Sequence, residues 1–165
     1  MTTEDTRRDA MIMEPVGERE LHIARTFRAS PETLFDACAR PDILKRWLTG
    51  PPEWTLAVCD VDLRPGGRFR YVWRAPDGRE VGMGGAYLEI ERPRRTVHTE
   101  LFDEDWTGGE TEVVTTFDDH GDGRTTLRYG IRYSSAAARD GAAATPMADG
   151  MAASFNALER ILPTL

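Results

Sequence analysis

The sequence predicts an α+β domain in which a curved antiparallel sheet wraps a long C-terminal helix and encloses an apolar pocket. Three observations carry this expectation. Strand-sized segments separated by turn residues run from Trp54 to Tyr133, two short helix signals follow the first strand, and after Ala136 the apolar period changes from two to about 3.6.

Residues 1–17 are charged, rich in Met and Thr, and show no clear period, so they are expected to form a flexible N-terminal arm, with one domain over 18–165. Glu20 to Arg28 reads as the first strand: Leu21, Ile23 and Phe27 alternate, with a slip at Ala24 and Arg25. Ser30 before Pro31 then starts a helix. Its hydroxyl can satisfy an orphan N–H, proline suits the first helical position, and Glu32 faces the positive end of the dipole. Pro41 and Asp42 restart a second helix through Ile43, Leu44, Trp47 and Leu48, which Gly50-Pro51-Pro52 ends.

Six further strands are expected over 54–63, 68–74, 80–91, 94–102, 110–117 and 125–133. Pro65-Gly66-Gly67, Asp77-Gly78, Arg92-Pro93, Gly108-Gly109 and Gly121-Asp122-Gly123 supply the turns between them. Alternation is clearest at 68–74, where Phe69, Tyr71 and Trp73 share one face and Arg68, Arg70 and Arg74 the other. Met147, Met151, Phe155, Leu158 and Leu162 recur at helical steps and define the apolar face of a helix about four turns long. Gly141 and Pro146 favour a loop over 136–145.

A chain of 165 residues buries about 70% of its unfolded surface without staples. Cys38 and Cys59 have no CxxC or Cys/His spacing, so neither metal nor disulfide is expected; both read as buried thiols. Net charge is −7 and no Lys/Arg run exceeds two residues, which argues against a phosphate-tracking nucleic-acid surface. There is no signal-peptide core and no run near the roughly 20 apolar residues of a membrane span, which places the chain in the cytoplasm without membrane insertion.

The order strand, two short helices, six strands and long helix is that of the helix-grip fold. Phe27-Arg28-Ala29-Ser30-Pro31-Glu32-Thr33-Leu34-Phe35, Pro41-Asp42-Ile43-Leu44-Lys45-Arg46-Trp47, Asp62-Leu63-Arg64-Pro65-Gly66-Gly67-Arg68-Phe69, Asp77-Gly78 and Gly85-Ala86-Tyr87-Leu88-Glu89-Ile90 add specific agreement. In these motifs residues 20–163 resemble the activator of heat shock protein 90 ATPase homologue family of the START-like (SRPBCC) superfamily. The resemblance implies a cavity between sheet and C-terminal helix that takes apolar or amphipathic small molecules. It brings no shared catalytic motif and no cofactor. The eukaryotic chaperone activators pair this domain with an N-terminal domain for which 165 residues are expected to leave no room.

Trp47, Trp54, Phe69, Tyr71, Trp73, Tyr87, Phe102, Trp106 and Phe117 are the candidate aromatic lining, and Met83, Met147, Met151 and Phe155 the remaining candidate ligand contacts. His98 shares its strand face with Thr96 and Glu100, opposite Val97, Thr99 and Leu101, and is expected to face solvent. His22 and His120 are isolated. Asp60, Asp62, Glu89, Glu91 and Glu100 read as a solvated face pairing with Arg64, Arg68 and Arg70. Nucleophile-elbow, metalloprotease and phosphate-loop signatures are absent, so no catalytic residue is assigned. The leading expectation is a non-enzymatic module binding an apolar small molecule. A cyclase or hydrolase using the same cavity and a stress-related or chaperone-regulating interaction protein are the alternatives, and a homodimer stays open.

Overall fold

The computed structural model describes residues 10–165. Helix formation after the first long strand has a local cause: Thr33 N–H donates to Ser30 Oγ at 3.2 Å, capping α1 (Pro31–Ala37). Pro41 occupies the first turn of α2 (Pro41–Trp47), where its missing N–H costs nothing. Leu34, Phe35, Ile43, Leu44 and Trp47 are buried, so both helices turn their apolar faces inward. The indole N–H of Trp47 donates to the Ala37 carbonyl at 2.8 Å, which ties α2 back to α1.

Among the described residues eight strands form one antiparallel sheet: β1 (Ile12–Val16), β2 (Glu20–Phe27), β3 (Thr55–Val61), β4 (Arg68–Arg74), β5 (Glu80–Glu91), β6 (Arg95–Phe102), β7 (Thr111–Asp119) and β8 (Thr125–Arg132), in the order β1-β2-β8-β7-β6-β5-β4-β3. Register shifts between Leu56 and Val58 and between Tyr87 and Glu89 mark irregularities that increase strand twist. At Gly85 the sheet closes tightly on itself: an added Cβ would lie 1.7 Å from the Thr99 carbonyl oxygen. Two more helices, α3 (Ala136–Ala143) and α4 (Met147–Ile161), complete the chain, with a 3₁₀ turn over Leu162–Thr164. Helix α4 lies against the sheet and α2, and its Phe155 and Leu158 are fully buried. This is the helix-grip architecture expected from the sequence.

Two local expectations are corrected. Ile12–Val16, inside the stretch expected to be a flexible arm, pair antiparallel with β2, Ile12 opposite Ala24 and Val16 opposite Glu20. Pro15 obscures this strand in the sequence, yet an edge strand tolerates a residue without an N–H. Met11 and Met13 pack against the core, and the hairpin turns through Gly17 at φ 59°. The rest of the arm expectation, residues 1–9, lies outside the described residues.

The second correction is the loop expected over 136–145, where α3 stands. Ser135 caps it by accepting from Ala138 N–H at 3.0 Å, Ala142 is fully buried, and Arg139 donates to the Glu20 carbonyl at 2.8 Å. Tertiary anchoring therefore overrides the weak propensity of Gly141.

Candidate functional site

Strand alternation sends every second side chain of the sheet toward α4, and the space left between them is a cavity of about 360 Å³, within the range of small-molecule sites. Phe69, Tyr71 and Trp73 of β4 form one wall, as their alternation predicts, with Met83 and Tyr87 of β5 beside them. Phe102, Trp106 and Phe117 add rings from β6, the following loop and β7. Trp47 closes the α2 side, Trp54 stands at the loop before β3, and Met147 and Met151 supply the α4 side. Twelve of the thirteen candidate contacts thus line one cavity.

Phe155 does not. It is fully buried, edge-on to Phe27 with ring centroids 5.6 Å apart and stacked on Trp47 at 6.3 Å and Tyr129 at 6.0 Å. The expectation that Phe155 contacts ligand is corrected: its helical step points it into the packed core beneath the cavity. Met151 and Met147, one turn and two turns earlier, are only half-buried and reach the open space.

The rings form two groups. Phe69 lies 5.0 Å from Tyr71 and 5.5 Å from Tyr87, deep in the sheet. Trp73 stacks on Phe102 at 6.4 Å, and Phe102 meets Trp106 at 4.9 Å. Trp73 N–H donates to the Leu48 carbonyl at 2.9 Å, so this ring is held in place. Pro51, Leu63 and Trp106 are the exposed members of the lining and mark the mouth.

Polar residues that sequence reasoning sent to solvent are inside. Thr96, His98 and Glu100 line the cavity together with Phe102, because all four share one face of β6. His98 Nε2 lies 2.9 Å from Glu100 Oε2, and the His98 ring meets Phe69 edge-on at 5.4 Å. Both corrections have one cause: Phe102, correctly assigned inward, fixes the parity of the strand, while the apolar Val97 is buried on the opposite face. Thr111 and Thr115 reach the cavity by the same parity with Phe117, as do Tyr129, Ile131 and Tyr133 along β8 and just past its end. The other carboxylates follow expectation more closely: Asp62 pairs with Arg64 at 2.9 Å and Glu89 with Arg95 at 2.5 Å on the exposed side. His22 sits beside Glu20 and His120 beside Thr126.

All four tyrosines of the chain line the cavity. Burial raises each phenol: Tyr71 and Tyr129 go well above the ordinary value, Tyr87 rises against an opposing hydrogen bond with Tyr71, and Tyr133 goes to about 12. The negative charge of Glu100 adds to the rise at all four. Burial likewise pushes the Cys38 thiol, in the cavity wall and hydrogen-bonded to Tyr129, up to about 12, and the Cys59 thiol up to about 11. These are not activated nucleophiles at neutral pH. Among the described residues no three His, Cys, Asp or Glu side chains group as a metal site.

Comparison with known proteins agrees with the fold. A protein of solved structure from Rhodobacter sphaeroides is 35% identical and superposes with a TM-score of 0.88, over 95% of this chain and 100% of the other. Protein Ms6760 from Mycobacterium smegmatis is 28% identical, with a TM-score of 0.77 over 92% of this chain and 97% of its own. The Plasmodium falciparum protein PFC0360w, an HSP90 activator, shares the fold at 24% identity, a TM-score of 0.54, and coverage of 70% of this chain and 73% of its own. A search of curated proteins gave no match. The sequence profile of the family described as Activator of Hsp90 ATPase homolog 1-like protein matches residues 28–163, which span the four helices, β3 to β8 and all of the cavity lining but Ile23: the chain belongs to that family.

Proposed function

We propose that the protein binds a small amphipathic molecule in the cavity between sheet and α4. The supporting observation is a space of about 360 Å³ walled mainly by rings and aliphatic side chains, with the His98–Glu100 pair facing into it. Rings bury large areas with few rotatable bonds, and a few placed polar groups orient what enters. The test is calorimetric titration with fatty acids, aromatic polyketides, terpenoids, and phenylalkyl alcohols and amines, followed in parallel by tryptophan fluorescence. At least one class should bind with one-to-one stoichiometry and be weakened by Tyr71→Ala. A silent panel would falsify the reading.

One observation favours an enzyme as a second reading. A histidine paired with a carboxylate beside the tyrosines of a half-closed cavity can move a proton, as a cyclase or hydrolase needs. His98→Gln would then abolish turnover of a bound ligand while its affinity is kept; a carrier shows no turnover to lose.

A further inference from the structure

Among the described residues, Glu100 is the single formally charged side chain in the cavity wall, and no lysine or arginine joins it. The arginines of β4 alternate to the other side of the sheet, where Arg70 pairs with Asp103 at 2.5 Å. Glu100 retains 24% of its side-chain exposure and His98 14%, so the pair stands where an entering molecule meets it. A carboxylate only accepts hydrogen bonds, so His98 Nε2 is the donor in this contact, and in the tautomer that carries the Nε2 proton alone Nδ1 is a second acceptor.

Tyr71 and Tyr87 lie within reach of one another, as do Tyr129 and Cys38, and the Tyr133 hydroxyl lies 3.9 Å from the Met147 sulfur. With no cation in the cavity wall, the second Glu100 oxygen and His98 Nδ1 form a negative, acceptor-rich spot. Around it stand Phe69, Tyr87, Phe102 and Trp106, whose ring faces attract cations.

We propose that the polar end of the ligand is a protonated amine, so the cavity takes a cationic amphiphile in preference to a carboxylate of the same shape. This rests on the cavity-binding reading above and names its substrate class. An ammonium group can donate to Glu100 Oε1 and His98 Nδ1 while facing the rings. A carboxylate in the same place meets Glu100 with no cation to offset it.

The test uses three probes that differ only in the head group, 4-phenylbutylamine, 4-phenylbutanol and 4-phenylbutyrate, titrated calorimetrically into the full chain at physiological salt. The amine should bind about tenfold or more tightly than the alcohol, with the carboxylate weakest. In Glu100→Gln the amine should fall to within about threefold of the alcohol measured in the same variant. The wild-type ranking requires no substitution, so it stands even if that variant fails to fold. Equal amine and alcohol affinities, a carboxylate that binds tightest, or an amine preference that survives Glu100→Gln each overturn the proposal. They leave cavity binding intact. If none of the three probes binds, the proposal is also overturned, and the wider panel decides separately whether the cavity binds anything.

Discussion

Arg25 occupies the inward position between Ile23 and Phe27, where the alternation of the first long strand calls for an apolar side chain. It is only 7% exposed. Its guanidinium crosses to α4, donating to Asn156 Oδ1 at 2.7 Å and pairing with Glu159, while lying over the Phe27 ring at 5.1 Å. The irregularity seen in the sequence at this residue is thus a polar latch between sheet and helix. Its Nε is buried without a partner, so the latch carries a desolvation cost as well as a gain. Arg25→Ala should lower stability by about 1–3 kcal/mol in urea unfolding, since Glu159 is half exposed and can return to water. A loss below about 0.5 kcal/mol would show that the cost cancels the gain. Single-residue features of this kind were readable only as departures from pattern. His98 and Glu100 were misread because polarity was weighed above the parity that Phe102 had already fixed.

At the scale of elements, capping and turn chemistry made α1, α2 and the β-hairpins legible, because each rests on neighbours in sequence. The strands β4 and β5 match their expected bounds, and the other expected strands agree to within a few residues. Two elements escaped. β1 pairs with the neighbouring β2, but Pro15 interrupts its strand signal, and α3 is held by distant contacts, the Arg139 bond to the Glu20 carbonyl and burial of Ala142. Helix α3 also carries a defect that can be repaired. Gly141 is exposed, helical, and has nothing within 4 Å of an added Cβ. Gly141→Ala should therefore raise stability by about 0.5–1 kcal/mol, mainly by restricting the unfolded chain, without altering ligand affinity. Thermal and urea unfolding of the variant measure this. A decrease would mean that α3 is not helical around residue 141.

For the whole molecule, the same burial that forms the cavity makes the fold sensitive to alkali. Sequence periodicity identified most of the rings but not their shared enclosure, which arises only when β4 through β8 curve around α4 and bring Tyr71, Tyr87, Tyr129 and Tyr133 into one wall. Each of these phenols, with Cys38 and Cys59, is harder to ionise folded than unfolded. The unfolded chain then gives up protons first as pH rises, so the native state binds more protons and stability falls with increasing pH. The contribution of these groups is intact below about pH 9, where unfolded cysteines begin to ionise, and it declines further above about pH 10, where unfolded tyrosines follow. Cys59 would shed its share by about 11, and Cys38 and Tyr133 theirs by about 12. Urea midpoints measured from pH 7.5 to 10.5 should be level in this term at first and then drop. In a spectrophotometric titration without urea, tyrosinate absorbance should appear together with loss of far-ultraviolet ellipticity instead of in an earlier separate step. Phenols that titrate near pH 10 in a still-folded protein would show that the cavity is open enough to hydrate them, and would remove the low-polarity surroundings on which tight binding of an amphiphile depends.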